Sequence, residues 1–348
     1  MPTEMHRDVF VDERDKHIRK DVMKPHCCDF IVLENCMLSC KMCHMWKCKE
    51  NYNQVPALYY EKFIESLYEY FGSEMQIQMV GGEPLLKPGI IDLITTASKK
   101  GFFTTLTSNG YLIDRKMASA LIDARISSIA LSLDSLDSAI HDFLRGKQGV
   151  HKQTMKALKY LTQYRYPEQS VCIVTTIMQP NLDDLIALAD WAEGHSGIAC
   201  ISFQVLSQPF YTKEDVSWYK NPKFSFLWPQ REKEVFSVID ALIERKQKKK
   251  KIGNSVNQLN IFKKYFQNPE QFVKKGGCHL GYNSLSVNSS GNIYLCFEQP
   301  PIGNIMRDRI EDVWESPIAH DVRSRIKACN RNCKLMINCF SEEGFSIE

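Results

Sequence analysis

Three cysteines between Glu34 and Trp46 are the residues of this sequence best suited to chemistry. Cys36, Cys40 and Cys43 follow a C-x3-C-x2-C spacing. Thiolates this close in sequence can hold one side of a compact metal centre, because soft sulfur ligands suit iron–sulfur clusters and zinc. Three thiolates would leave one iron of a four-iron cluster open to a further ligand.

A zinc site is the alternative for the same segment, with His44 as the fourth ligand of a Cys3His set. A disulfide is disfavoured, because the first residues are polar and charged and lack the apolar core of a secretory signal. The 13 cysteines of the chain are clustered, which favours metal binding in a reducing compartment. We therefore expect a cytoplasmic protein.

The elements that must position these ligands alternate between short apolar runs and longer amphipathic runs. The apolar runs predict strands over 28–33, 75–80, 102–107, 127–132, 171–177 and 198–205, and helical periodicity follows each of them. Such alternation predicts an α/β fold with a parallel sheet. Six units are too few for a closed eight-stranded barrel, so we expect a partial (β/α)6 barrel over residues 28–268, after an N-terminal extension of residues 1–27.

Polar and glycine-rich segments end the predicted strands, where parallel α/β folds place their chemistry. The three cysteines follow the first strand. The later strands end in Gly81-Gly-Glu-Pro84, Thr107-Ser-Asn-Gly110, Ser132-Leu-Asp134, the pair Thr175 and Thr176, and Gln204.

Together these motifs resemble those of the radical S-adenosylmethionine (SAM) enzymes. In that family the three-cysteine spacing binds a 4Fe–4S cluster whose open iron is chelated by SAM, and reduction of the cluster releases a 5′-deoxyadenosyl radical. The resemblance implies the same partial barrel. It also implies an external electron donor such as flavodoxin or ferredoxin.

The resemblance further implies which residues contact SAM. Gly81, Gly82 and Glu83 would hydrogen-bond its amine, and Met42 would pack against adenine. The remaining expected contacts are Asn109, Ser132 and Asp134 to the ribose and carboxylate, Thr175 and Thr176 near adenine, and Arg145 as the partner of a carboxylate. Gln204, together with Arg145, is the candidate on the substrate side. The alternatives are that Ser132 and Asp134 cap the next helix and that Arg145 forms a surface salt bridge.

Helical periodicity fades after about Asn268, and a Cys-rich segment predicts a small second domain over 269–348. Cys278 and Cys296 flank a turn in the arrangement C-x12-G-x4-C, and Cys329, Cys333 and Cys339 follow. This pattern resembles the SPASM and twitch extensions of radical SAM enzymes, which bind auxiliary 4Fe–4S clusters. The full SPASM pattern has seven cysteines; five imply one auxiliary cluster, held by Cys278, Cys296 and two of the other three. A structural zinc site is the alternative.

Composition excludes several other functions. Lys and Arg number 44 against 41 Asp and Glu, and a net charge of +3 is too small to indicate nucleic-acid binding. No apolar run approaches the roughly 20 residues of a membrane span.

Cys172 and Cys200 fall in apolar strands, so we expect them to be small core residues.

For the reaction, we expect a SAM-dependent oxidation of a sugar-like or cyclitol-like molecule, with the auxiliary cluster accepting an electron. The rival is a peptide-modifying SPASM enzyme that forms a thioether or carbon–carbon crosslink. Only about 27 residues precede the first predicted strand, fewer than a leader-peptide-binding domain needs, which favours the small molecule. A zinc-binding interaction protein is the non-enzyme alternative.

Overall fold

A parallel sheet of six consecutive strands forms the centre of the fold. The computed structural model describes residues 24–48, 54–270, 278–329 and 335–338. The strands are β1 (Cys27–Leu33), β2 (Gln76–Gly81), β3 (Phe103–Ser108), β4 (Ser128–Ser132), β5 (Ser170–Ile177) and β6 (Cys200–Val205). Each pairs in parallel with the next along the chain. The predicted partial barrel is confirmed.

Eight helices of the described barrel cover the outside of this sheet. They are α1 (Ala57–Phe71), α2 (Ile90–Lys99), α3 (Arg115–Asp123), α4 (Ser138–Arg145), α5 (Val150–Tyr164), α6 (Leu185–Gly194), α7 (Glu232–Gln247) and α8 (Val256–Gln267). The helical region that follows β4 is divided into α4 and α5, because Gly146 and Gly149 between them adopt positive φ angles of 70° and 82°. Within the described ranges, no helix is long and apolar enough to cross a bilayer.

The two faces of the strands differ in chemistry because side chains alternate along each strand. The outward residues are apolar and fully buried against the helices; in β2 these are Ile77 and Met79. The inward residues of the same strand are Gln76 and Gln78, which line a cavity inside the barrel. The barrel therefore has an apolar outer layer and a hollow, partly polar interior.

The C-terminal residues extend the same sheet. They form α9 (Leu280–Asn283), β7 (Ser284–Val287), β8 (Asn292–Tyr294), β9 (Gly303–Asn304), α10 (Ile310–Trp314), α11 (Pro317–Lys327) and α12 (Leu335–Asn338). β7 pairs in parallel with β1, and β8 and β9 continue as antiparallel strands. The described part of the predicted second domain thus shares a sheet with the barrel, a long-range pairing that the local sequence pattern did not indicate.

Two asparagine side chains occupy the outer edge of β6. Asn254 accepts a hydrogen bond from the Phe203 N–H at 2.6 Å and donates one to the Phe203 carbonyl at 2.9 Å. Asn338 makes the same pair of bonds with Val205, at 2.9 and 3.0 Å. An open strand edge is a template for pairing with another chain, so these side chains close it. Asn338 also lines the barrel cavity.

Candidate active site

The barrel encloses a cavity of about 540 Å³ that runs along the inner face of β2 to β6. Cys36, Cys40 and Cys43 line it together, at the carboxyl end of the strands. The sequence-predicted residues that also line it are Met42, Gly81, Gly82, Asn109, Ser132, Arg145, Thr176 and Gln204. Glu83, Asp134 and Thr175 are absent from its walls and are fully buried elsewhere.

The loop that carries the three cysteines is held by backbone contacts on two sides. On one side, the Gly82 N–H donates to the Leu33 carbonyl and the Glu83 N–H donates to the Asn35 carbonyl, each at 2.9 Å. On the other side, the Lys41 N–H donates to the Leu144 carbonyl at 2.8 Å, at the end of α4. The three ligands are therefore placed by the second strand and the fourth helix of the barrel.

The two glycines of Gly81-Gly-Glu-Pro84 permit the first of these contacts. A Cβ atom on Gly82 would lie 2.1 Å from the Asn35 carbonyl oxygen, and one on Gly81 would lie 2.1 Å from the Leu33 oxygen. Gly81 also has a φ of 138°, which L side chains rarely adopt. The sequence predicted these glycines as contacts to SAM; in the structure they line the cavity and also admit the cysteine loop.

Glu83 orients Asn109 and does not face the cavity. Its carboxylate accepts hydrogen bonds from the Ser108 hydroxyl at 2.8 Å and the Asn109 N–H at 2.9 Å. The side-chain amide of Asn109 then lies 3.8 Å from the Cys36 sulfur and 3.5 Å from the Met37 sulfur, as a donor to both. The Glu83 side chain therefore supports Asn109 beside a cysteine ligand, and the contact of this motif with the SAM amine stays a prediction.

Arg145 forms a buried ion pair with Asp134, and the two groups are joined at 2.8 Å. The Arg145 side chain is 12% exposed and that of Asp134 is 0% exposed, so the alternative of a surface salt bridge is wrong. Arg145 also hydrogen-bonds the Cys40 sulfur. Asp134 does not cap α4, since Asp137 accepts from the first N–H groups of that helix. The predicted arginine–carboxylate pair therefore lies within the protein, with Asp134 as the carboxylate.

Two buried residues that the sequence did not indicate hold Asp134 in place. Asn181 donates hydrogen bonds from its amide to the Asp134 carbonyl at 2.7 Å and the Thr176 carbonyl at 2.9 Å. His141 accepts the Asp134 N–H at its Nδ1 at 3.1 Å. Burial, together with nearby Arg145 and His151, lowers the pKa of His141 to about 2. His141 is therefore a neutral acceptor in the folded protein.

Thr175 and Thr176 face opposite sides of β5. Thr176 lines the cavity, whereas the Thr175 hydroxyl donates to the Leu133 carbonyl at 2.6 Å in the outer layer. Period-two alternation allows only one of two adjacent strand residues to face the interior. The prediction for Thr175 is thus corrected to a structural role.

The three thiols fit an iron–sulfur cluster. Burial raises the pKa of Cys36 to about 11 and that of Cys40 to about 12, so a metal centre must supply the positive charge that stabilises their thiolates. The Leu38 N–H, 3.4 Å from the Cys36 sulfur, provides the kind of hydrogen bond that orients metal ligands. The three thiols are therefore suitable ligands for an iron–sulfur cluster.

The zinc alternative for this loop disagrees with the structure. His44 faces away from the cavity, its ring 5.4 Å from that of Phe224 and its nitrogens 3.3 Å from the Lys47 ammonium. Among the residues that the structure describes, no three Cys, His, Asp or Glu side chains converge on a single metal ion. Separate thiols around a cavity suit a larger, multi-iron group.

The C-terminal cysteines are described only in part. Cys278, Cys296 and Cys329 are partly exposed, and Cys278 and Cys296 pack against the hydrophobic core. Cys333 and Cys339 lie outside the described residues. The assignment of four of these five thiols to one auxiliary cluster therefore stays a prediction.

The sequence analysis did not identify many of the strand residues that line the cavity. Alternation along the predicted strands could have found these residues, because each lies an even number of positions from a residue expected at the cavity. They are Gln76, Gln78, Thr105, Thr107, Ser128, Cys172, Cys200 and Ser202. The sequence analysis predicted that Cys172 and Cys200 are core residues. That prediction is wrong, because both line the cavity.

Two family models match this chain. One is described as the Radical SAM superfamily and matches residues 30–192, and the other is SPASM, an iron–sulfur cluster-binding domain, and matches residues 278–340. The chain is a radical SAM protein with a C-terminal SPASM domain. The first domain takes a 4Fe–4S cluster and SAM, and the SPASM domain takes an auxiliary iron–sulfur cluster.

Known relatives of this radical SAM protein are named for different products. The AdoMet-dependent heme synthase of Methanosarcina barkeri is 24% identical over 246 residues, which are 68% of this chain and 67% of that one. The antilisterial bacteriocin subtilosin biosynthesis protein AlbA of Bacillus subtilis is 21% identical over 296 residues, 84% of this chain and 60% of AlbA. The chain thus spans about three fifths to two thirds of the length of these curated relatives.

A solved structure shares the fold. Streptococcus suis SuiB bound to its precursor peptide SuiA superposes with a TM-score of 0.64 at 19% identity, over 87% of this chain and 67% of SuiB. At this identity, the likeness establishes the fold alone.

Gly82→Ala should reduce the iron bound per chain after anaerobic reconstitution, because its Cβ would displace Asn35 next to the first cysteine ligand. Overpacking of this kind costs about 1–3 kcal/mol. Iron analysis and denaturant unfolding measure the two effects. The control is Gly194→Ala, where a Cβ would meet nothing within 4 Å. Wild-type iron content and stability in Gly82→Ala would contradict this role.

His141→Asn should flatten the dependence of stability on pH between pH 6.5 and 5. The unfolded state binds a proton at a histidine pKa of about 6.5, whereas His141, with a pKa of about 2, stays neutral in the folded state. Wild-type stability should therefore fall as pH drops, by about 2 kcal/mol across this interval from His141 alone. Asp29, whose pKa burial raises to about 6, opposes this trend equally in both proteins.

Denaturant midpoints at several pH values test this difference. Asparagine offers an amide oxygen in place of Nδ1 for the Asp134 N–H, so the variant should remain folded. Parallel pH profiles for the two proteins would show that His141 titrates normally.

Proposed function

We propose that this radical SAM protein is an enzyme that removes a hydrogen atom from one residue of a peptide substrate. The observation that carries the proposal is an extended groove beside the mouth of the barrel cavity. A small molecule enclosed in the barrel would have no use for such a groove, whereas a peptide could place one residue inside and lay its flanking residues along it. Relative to the oxidation of a sugar-like molecule expected from sequence, the proposal changes the substrate class.

The groove has a volume of about 560 Å³ and two walls. One wall comes from the cysteine loop, through His44 and Lys47. The other comes from the insertion between β6 and α7, from Gln208 to Phe224. Its side chains are aromatic and of both charge signs, which suits a peptide with mixed side chains.

A smaller depression of about 420 Å³ lies between the groove and the barrel cavity and borders both. This depression shares Cys40 and Trp46 with the barrel cavity, and His44 and Phe224 with the groove. Trp46 is 38% exposed, and Phe210, at the mouth of the barrel cavity, is 55% exposed. Exposed aromatic side chains at a cavity rim are typical of protein and peptide contacts.

Different residues along this path have different roles. Cys36, Cys40 and Cys43 hold the cluster, while Ser132 and Thr176 line the part of the cavity assigned to SAM. Gln204 and Asn338, on the β6 side, line the part left for the substrate. When bound, the cluster and SAM supply the 5′-deoxyadenosyl radical, for which an external donor such as flavodoxin or ferredoxin provides the electron. The C-terminal cysteines hold the auxiliary cluster, a centre for one-electron transfer.

The names of the relatives agree with a peptide substrate. AlbA is named for the biosynthesis of a bacteriocin, and SuiB was solved with a precursor peptide. The heme synthase shares less of the chain.

A second candidate is the oxidation of a small polar molecule such as a sugar or cyclitol. The observation that favours it is the polar lower half of the cavity, formed by Gln76, Gln78, Thr105, Ser128 and Ser202. These side chains offer hydrogen bonds that would suit hydroxyl groups.

Reconstituted enzyme with dithionite and SAM separates the two candidates. The probes are a displayed library of random 12-residue peptides and a panel of cyclitols and aminosugars. Peptides should stimulate formation of 5′-deoxyadenosine and should themselves change in mass. Stimulation by a polyol with none from any peptide would overturn the proposal.

The variant Phe210→Ala sharpens this test. It should lower turnover of an active peptide at subsaturating concentration by about tenfold, the typical effect of losing an aromatic anchor, and leave peptide-independent cleavage of SAM unchanged. The matched control is Tyr164→Ala, which removes an aromatic residue of similar exposure at the end of α5.

A further inference from the structure

Two cysteines lie side by side on the inner face of the barrel, away from the cluster loop. Cys172 of β5 and Cys200 of β6 are direct partners in the parallel register. Their sulfur atoms are 2.7 Å apart, with the Cys200 thiol donating to Cys172. Both line the barrel cavity. Neither the radical SAM chemistry nor the peptide path described above uses them.

The backbone already has the geometry of a cross-strand disulfide. Directly opposed residues of neighbouring strands lie about 4.8 Å apart, and disulfides join Cα atoms that are about 4.4–6.8 Å apart. The two side chains point to the same side of the sheet, so bond formation requires side-chain rotation and no shift of a strand.

The surroundings make Cys172 the nucleophile of the pair. The hydrogen bond from Cys200, and a weaker one from the Ser128 hydroxyl, lower the pKa of Cys172 to about 7. The bond to Cys172 raises the pKa of Cys200. A thiol with a pKa near ambient pH is the effective attacker in thiol–disulfide exchange.

The pair lies toward the amino end of the barrel strands, away from the cysteine loop at their carboxyl end. Cys200 is the first residue of β6, and both thiols are partly exposed. Phe103, the first residue of β3, lines the same cavity and is 47% exposed. A small reagent can therefore reach these sulfurs through the cavity that they line.

We propose that Cys172 and Cys200 form a reversible modification site, a dithiol that a small disulfide compound oxidises to a bond joining β5 to β6. The Cys172 thiolate attacks the reagent and releases one reagent thiolate, giving a mixed disulfide. The Cys200 thiol then loses its proton, attacks the Cys172 sulfur and releases the second reagent thiolate. The two protein thiols are oxidised, the reagent disulfide is reduced to two thiols, and both protons pass to them. This site stands independently of the peptide substrate proposed above.

The test uses the anaerobically reconstituted full chain treated with 2-hydroxyethyl disulfide, acid-quenched and alkylated. Cleavage after glutamate separates the two cysteines, because Glu168, Glu193 and Glu214 bound fragments 169–193 and 194–214. The expected result is a crosslinked pair of these fragments, lighter by two hydrogen atoms and alkylated at neither cysteine, which a dithiol reductant restores to two free fragments.

Three single variants give the comparison. Cys200→Ser should leave the reagent attached to Cys172, and Cys172→Ser should abolish the crosslink. Cys27→Ser is the control, since Cys27 is partly exposed but pairs across its strands with Gln76 and Ser284; it should leave the crosslink intact. Wild-type fragments that are both alkylated after Cys27 has reacted would overturn the proposal. So would a stable reagent adduct on Cys172 beside a free Cys200.

Discussion

The placement of the cysteine loop depends on the close approach of two backbones at Gly82. There the loop between Glu34 and Cys36 lies against the end of β2 with no room for a side chain. Gly146, at the end of α4, makes a similar approach to Ser39 from the opposite side, where a Cβ would lie 2.2 Å from the Ser39 carbonyl. The loop is therefore fixed by elements distant in sequence, and the positions of three soft ligands follow from the fold of the barrel.

Two buried carboxylates support the cysteine loop. Glu83 and Asp134 have no exposed surface, and each is held by hydrogen bonds or by a partner of opposite charge. Leaving such a group without its partner costs about 3–5 kcal/mol, so these contacts allow little freedom. Both networks end at a cysteine sulfur, Glu83 through Asn109 and Asp134 through Arg145. The polar core thus orients the metal ligands and tunes their charge.

The local pattern of the sequence was sufficient to predict the strands, the three-cysteine loop and the glycine motif. It was insufficient wherever the direction of a side chain decided its role. Thr175 and Thr176 could have been separated by alternation, but Glu83 follows a glycine pair, and the sequence did not show that its side chain is buried away from the cavity. Cys172 and Cys200 are indistinguishable from core cysteines until the register of β5 and β6 is known. The pairing of β7 with β1 and the supports from His141 and Asn181 arise from contacts between distant segments.

The central claim is that Cys36, Cys40 and Cys43 hold a cluster with one iron open to SAM. Electron paramagnetic resonance of the dithionite-reduced protein, recorded with and without SAM, tests it most directly. The account predicts a 4Fe–4S signal that shifts when SAM is added. When the three cysteines are replaced together by alanine, that signal should disappear and the iron content should fall by about four atoms per chain. The absence of any SAM-dependent signal in the wild-type protein, or a SAM-dependent signal that persists in the triple variant, would contradict the account.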